Sequence, residues 1–295
     1  MNPLRPVLAL LITACLAASL ATPAAAQRTC GTADLSQAEL DQLFQMLGDG
    51  SNRSSVVCNG TIVVAFHVLH DGPTGLLTLA EVDAQIAELN ANFAPNGYQF
   101  VLGQVDFTNN PAWFNLQTYA DELAIKQALA LYPAQTLNIY SCMPYGYLGF
   151  SYYPFSFPEN SIEHCVFIDY RTLPGGVLAP YDLGRTATHE IGHYLGLIHT
   201  FEGGCFGSGD QVADTPAEAT PTSGCPIGKD TCPSPGLDPI HNYMDYSDDA
   251  CYTEFTAGQQ TRMCQMVTAY RPSLFAGGPT PARREGWGRL KARYR

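Results

Sequence analysis

The sequence predicts a two-part α/β (α+β) fold with a cleft between the parts. Three observations carry this. Apolar β-branched runs alternate with helical patterns as far as about residue 199. The periodicity then disappears over Thr200–Phe255, where Gly, Pro, Cys and Asp dominate. Between the two regions lies "TATHEIGHYLGLIHTFEGG", Thr186–Gly204, with three of the seven histidines.

The elements follow in order. "TIVVAFHVLH" (Thr61–His70) has the β-branched density of a buried strand. "LTLAEVDAQIAELNANF" has apolar residues at helical spacing, with Thr78 as N-cap. "YQFVLGQVDF" reads as a strand, "DELAIKQALALY" as a helix, and "LNIYSC" and "CVFIDY" as two more strands. "TATHEIGHYLG" is the next helix, and "TAGQQTRMCQMVTAYR" (Thr256–Arg271) closes the domain with another. The irregular stretch between them cannot bury enough apolar surface alone, so covalent bridges and ions should hold it. The expected organisation is a signal peptide at 1–26, a pro-segment at 27–56, a catalytic domain at 57–275 and a basic tail at 276–295.

The start "MNPLRPVLALLITACLAASLATPAAAQ" has an early arginine, an apolar core from about Val7 to Leu20, and Ala24-Ala25-Ala26 before Gln27. This is the pattern of a secretory signal, and the core is short for a membrane span. Secretion fits ten cysteines, most of which should pair in an oxidising space. Cys15 leaves with the signal, so an odd cysteine remains. Asn52 and Asn59 stand in glycosylation sequons. The last 17 residues hold six of the 15 basic residues, while the body between signal and tail has 8 basic against 26 acidic residues. Such a body does not bind nucleic acid through bulk charge. The tail reads either as a solvated extension or as a polyanion-binding arm. No stretch after the signal is long and apolar enough to span a membrane, and a monomer is expected.

His189 and His193 are four apart and share one helix face. On a continued helix, at about 100° per residue, His199 would face away from His189. Gly196 is where the helix can close, because glycine takes the left-handed conformation. The chain can then return His199 to the same point. Three neutral imidazoles leave one position of a tetrahedral zinc open, as in catalytic rather than structural sites. Glu190 follows His189 directly. There it could take a proton from water and pass it to a leaving amine. A secreted binding protein with a structural metal site would have no use for Glu190. An exopeptidase would need a clamp for a peptide terminus, and no motif supplies one.

The full H-E-x-x-H-x-x-G-x-x-H, with "GDQVADTP" and "NYMDYSDDACYTEFTAGQQTRM", resembles the pappalysin-like metzincin zinc proteases, and most nearly the secreted metalloproteases of fungi and related bacterial enzymes. The similarity runs from about Cys58 to Arg271. It implies a metzincin-type catalytic domain, with a twisted mixed sheet and helices above the cleft and an irregular disulfide-rich subdomain below. It implies hydrolysis of protein or peptide substrates with one catalytic Zn2+. Met244 corresponds to the methionine beneath the metal, an apolar floor and not a ligand. Tyr246 corresponds to a tyrosine that approaches the zinc in some relatives, and either assists the oxyanion or simply packs. The resemblance suggests Cys205 with Cys232 and Cys225 with Cys251. "RTCGT" around Cys30 is similar to the Cys-Gly segment that blocks zinc in some metzincin proenzymes. The alternative for Cys30 is a disulfide, for example with Cys58. If Cys30 is the switch, Cys142 can pair with Cys165 and Cys58 with Cys264, and activation needs a cut such as Arg53-Ser54. Asp210, Asp214, Asp230 and Asp238 are candidates for Ca2+, or are solvated loop acids.

Overall fold

The computed structural model describes residues 29–36, 38–41, 43, 58–207 and 209–275. The expected signal peptide, Asn52, the Arg53-Ser54 cut and the basic tail lie outside the described residues. A five-stranded mixed sheet organises the upper part, in the order β2-β1-β3-β5-β4. β1 (Gly60–His70) lies parallel between β2 (Tyr98–Asn109) and β3 (Thr136–Cys142). β5 (Cys165–Asp169) continues the parallel set, and β4 (Gly149–Ser151) closes the edge antiparallel to it.

Each parallel connection needs a crossover; those that follow β1 and β2 carry helices, while β3 reaches β5 through β4 and irregular chain. Helix α1 (Leu79–Phe93) begins on a capping box in which Thr78 and Glu81 satisfy each other's backbone N–H groups. The short α2 (Pro111–Phe114) starts on Asn110, and α3 (Tyr119–Leu129) on Thr118. Helix α4 (Arg185–Tyr194) bears the histidines, and α5 (Ala257–Tyr270) ends the domain.

Buried on both faces, β1 reads as a continuous apolar run rather than an alternation. Ile62, Val64, Phe66 and Val68 pack in one core with Val82, Ile86 and Leu89 of α1, Ile191 of α4 and Val267 of α5. Leu69, Tyr140, Phe150 and Phe167 meet Phe114 and Ile125 of α2 and α3 in the second core. Two elements escaped the sequence reading. β4 has three residues, too few to show a period, and α2 is a single turn.

Among its described residues, the segment from Thr200 to Phe255 has one 3-10 turn (Asp249–Cys251) and an isolated bridge between Asn242 and Glu254. Disulfides Cys205–Cys232 and Cys225–Cys251 staple it, as the resemblance implied. Buried Glu218 does the work of a core side chain there. It accepts from Lys229 Nζ at 2.6 Å, Thr222 Oγ1 at 2.8 Å and Thr200 Oγ1 at 3.0 Å. Cys58–Cys264 ties the start of β1 to α5, which rules out Cys30–Cys58. The expected Cys142–Cys165 bridge is not formed, and both are buried thiols. The register explains this: Cys165 lies opposite Asn138 and Cys142 opposite Asp169, four residues apart along the ladder.

Candidate active site

Helix α4 is buried along nearly its whole length. Gly192, in the middle of H-E-x-x-H, has a packing reason. A Cβ there would come within 2.4 Å of Met244 Sδ, so only glycine lets the methionine lie beneath the helix. Met244 is fully buried. The helix ends at Tyr194. Gly196 then takes φ +99°, and Leu197 N–H donates back to Gly192 O at 2.9 Å. This left-handed exit returns His199 to the first two histidines.

The three Nε2 atoms converge. His193 Nε2 is 3.2 Å from His189 Nε2 and 3.1 Å from His199 Nε2. Every Nδ1 faces an acceptor: Tyr243 O at 2.7 Å for His189, Leu197 O at 2.8 Å for His193, and Asp34 Oδ1 at 3.1 Å for His199. Each ring therefore places its proton on Nδ1 and aims the Nε2 lone pair inward, the arrangement of metal-ligating histidines. Burial, then neighbouring His199, pushes the His193 imidazole well below its ordinary pKa, which keeps it neutral. A soft-to-borderline donor set of three imidazoles at one point fits zinc.

Cys30 completes the cluster. Its Sγ and one ring nitrogen from each of the three histidines all lie within 4.8 Å of one another. The segment reaches this position by pairing with the sheet edge: Gly31 N donates to Gly149 O at 2.8 Å, and Leu148 N to Thr29 O at 3.0 Å. Burial, then Glu190, pushes the Cys30 thiol up. Glu190 Oε2 accepts from Thr32 Oγ1 at 3.0 Å and lies 3.5 Å from Cys30 Sγ. Two residues on, Asp34 holds His199, and Leu35 N donates to Glu202 Oε1 at 2.7 Å.

The Tyr246 ring lies 5.8 Å from that of His189 and 5.0 Å from that of His199, centroid to centroid. Burial raises its phenol well above the usual value, so it stays a donor. The four loop acids do not gather. Asp214 accepts from Thr256 Oγ1 and Gly258 N at 2.8 Å each, capping α5. Asp238 accepts from Thr231 N and Oγ1 at 2.9 and 2.8 Å. Asp210 is buried, and its Oδ2 has no partner. Burial pushes its pKa up to about 7. Asp230 is exposed. The sequence reading missed Thr32, Asp34, Glu202 and the Tyr243 carbonyl. Thr32 and Asp34 stand beside Cys30 in "TCGTAD" and had a local signal, whereas a backbone carbonyl has none.

A mixed sheet over a histidine helix, with a methionine turn beneath, defines a metzincin-type zinc metalloprotease, a hydrolase of peptide bonds. Residues 145–268 match the M43 peptidase family described as Pregnancy-associated plasma protein-A. An extracellular metalloprotease of Sordaria macrospora is 46% identical over 243 residues, covering 79% of this chain and 82% of that protein. Extracellular metalloprotease 1 of Coccidioides posadasii is 39% identical over 90% of this chain and 97% of its own length. Among solved structures, a promirolysin mutant of Tannerella forsythia is 28% identical with TM-score 0.71, covering 84% of this chain and 97% of that one. Mature Tannerella forsythia mirolysin with a cleaved peptide is 28% identical with TM-score 0.60, covering 74% and 98%. The chain belongs to this pappalysin-like family of metalloproteases. Among the described residues no helix is long and apolar enough to cross a membrane.

Proposed function

We propose that this chain is a secreted zinc endopeptidase made in a latent form, with His189, His193 and His199 as ligands and Glu190 as the general base. The observation that carries the proposal is the convergence of three Nε2 atoms whose Nδ1 protons are each held from outside. When bound, zinc supplies the Lewis acid that makes water acidic enough to attack at neutral pH and polarises the scissile carbonyl. Glu190 takes one proton from the attacking water as its oxygen bonds to the carbonyl carbon. It then delivers that proton to the amide nitrogen as the carbon–nitrogen bond breaks. Tyr246, protonated, donates to the oxyanion between those steps.

In the latent chain Cys30 Sγ takes the place meant for water, and Thr32 occupies Glu190. Activity then requires removal of the segment bearing Thr29–Leu35. The extracellular names of the fungal relatives support secretion, and an N-terminal signal at 1–26 is its route. Tannerella forsythia mirolysin binds a cleaved peptide, which supports a peptide-bearing cleft here, in a chain acting as a monomer. Calcium is the lesser part of the proposal. Of the four loop acids Asp210, with its unpartnered oxygen, is the donor best placed to take it.

The test is casein cleavage by purified secreted protein and its Glu190→Ala variant, with zinc measured on both and intact mass reporting loss of the segment. The expected result is zinc in both and turnover reduced about 10²–10⁴-fold in the variant. Normal cleavage by Glu190→Ala would overturn the assignment.

A further inference from the structure

The Tyr243 carbonyl that holds His189 Nδ1 belongs to a loop whose backbone is held by the Asn242–Glu254 bridge, with Tyr243 N donating to Glu254 O at 3.0 Å. A buried amide holds the Tyr243 side chain. Asn92, near the end of α1, is buried and uses both ends of its side chain. Its Oδ1 accepts from Tyr243 Oη at 3.0 Å and from Arg185 Nη1. Its Nδ2 donates to Thr188 Oγ1 at 2.8 Å and to Glu88 Oε1 at 3.1 Å. Arg185 begins the histidine helix, pairs with Glu88, and lies over the Tyr243 ring at 5.5 Å. Thr188 immediately precedes His189. The amide therefore ties the helix that carries His189 to the loop whose carbonyl orients it. Apolar packing could bring α1, α4 and the loop together, but only directed bonds fix the azimuth of a carbonyl.

We infer that Asn92 is a positioning residue for the metal centre: through Tyr243 and Thr188 it sets the bond that orients His189, and so how tightly the site holds zinc. The inference rests on the reading of His189 as a ligand. Outer partners of ligating histidines typically change metal affinity 10–100-fold. Acting one bond further out, Asn92 belongs at the lower end of that range. Asn92→Ala removes all four bonds. Asn92→Asp keeps the acceptor for Tyr243 and Arg185 and loses the donor to Thr188. Tyr243→Phe removes only the phenol and keeps the ring, so it perturbs folding least.

The experiment is competition of the full chain with a chelator for Zn2+, on wild type, His189→Ala, Asn92→Ala, Asn92→Asp and Tyr243→Phe. The thermal midpoint of each zinc-free protein is measured alongside. The expected result is an affinity about tenfold weaker for Asn92→Ala, with Asn92→Asp and Tyr243→Phe between it and wild type. A residue that merely packs would lower the zinc-free midpoint and leave zinc affinity at the wild-type value. That outcome in Tyr243→Phe and Asn92→Asp overturns the assignment while His189→Ala remains weak. If His189→Ala binds zinc as tightly as wild type, the ligand reading itself fails, and this inference with it.

Discussion

The two halves of this protein are held together by different physics. The upper half, β1 to α4, buries apolar side chains on both faces of a sheet whose backbone groups satisfy one another in ladders. The lower half, Thr200 to Phe255, has almost no ladder. It substitutes disulfides, the pairing of buried Glu218 with half-buried Lys229 and carboxylates that accept backbone N–H bonds. The site lies at the seam. The upper half supplies the histidine helix, while the lower half supplies the Tyr243 carbonyl, Met244 and Tyr246. A fold that builds its cleft floor from irregular chain needs cross-links there, because an irregular segment leaves polar backbone to be satisfied one group at a time.

Substitutions that attack each half by its own means should separate these accounts. In the upper half, Phe66→Ala opens a cavity in the core and should cost about 4 kcal/mol in denaturant unfolding. A loss under 1 kcal/mol would mean that apolar packing does not dominate there. In the lower half, Cys225→Ser with Cys251→Ser frees a loop of 26 residues' separation and should cost about 3 kcal/mol. Its thermal midpoint should fall accordingly, while single apolar truncations in that half do less.

Asp210 offers a subtler contrast. Its folded pKa, pushed up to about 7, exceeds the ordinary 3.8 because burial opposes the charge, with the Val212 N–H, Thr215 and then Arg262 offsetting and Asp214 adding to the rise. The folded chain then holds more protons than the unfolded one between those values, so stability falls as pH rises from about 4 to 7. Asp210→Asn should stabilise the protein above pH 7, by up to about 1.4 kcal/mol per unit of that rise, and have little effect near pH 4. Melting curves across that window check it. Calcium added at pH 8 should raise the midpoint of wild type and not of the variant if Asp210 is a calcium donor. The smallest effect belongs to the seam. Thr256→Ala removes the N-cap of α5, together with its bond to Asp214, and should cost about 1 kcal/mol. A larger loss would show that the cap holds the lower half as well as the helix.

Much of this was legible in the chain itself. The β-branched run of β1, the Thr78 and Thr256 caps and the period of α1 are local signals, and the structure places those elements within a few residues of expectation. His189, His193, Gly196 and His199 were readable because helix geometry turns spacing into direction. The disulfide partners Cys205–Cys232 and Cys225–Cys251 came only with the resemblance. For Cys142 and Cys165, proximity to strand ends misled, since pairing depends on register and register is set by long-range alignment.

The sequence by itself determined which residue types stand at the centre, at which spacing, and on which kind of element. Only the tertiary structure decided what surrounds it. Asn92 meeting Tyr243, Thr32 meeting Glu190 and Asp34 meeting His199 join residues far apart in the chain. Each is one directed bond between surfaces that packing brings together, and no local pattern encodes such a meeting. A helical period fixes where a side chain points, but only the docked fold fixes what it points at.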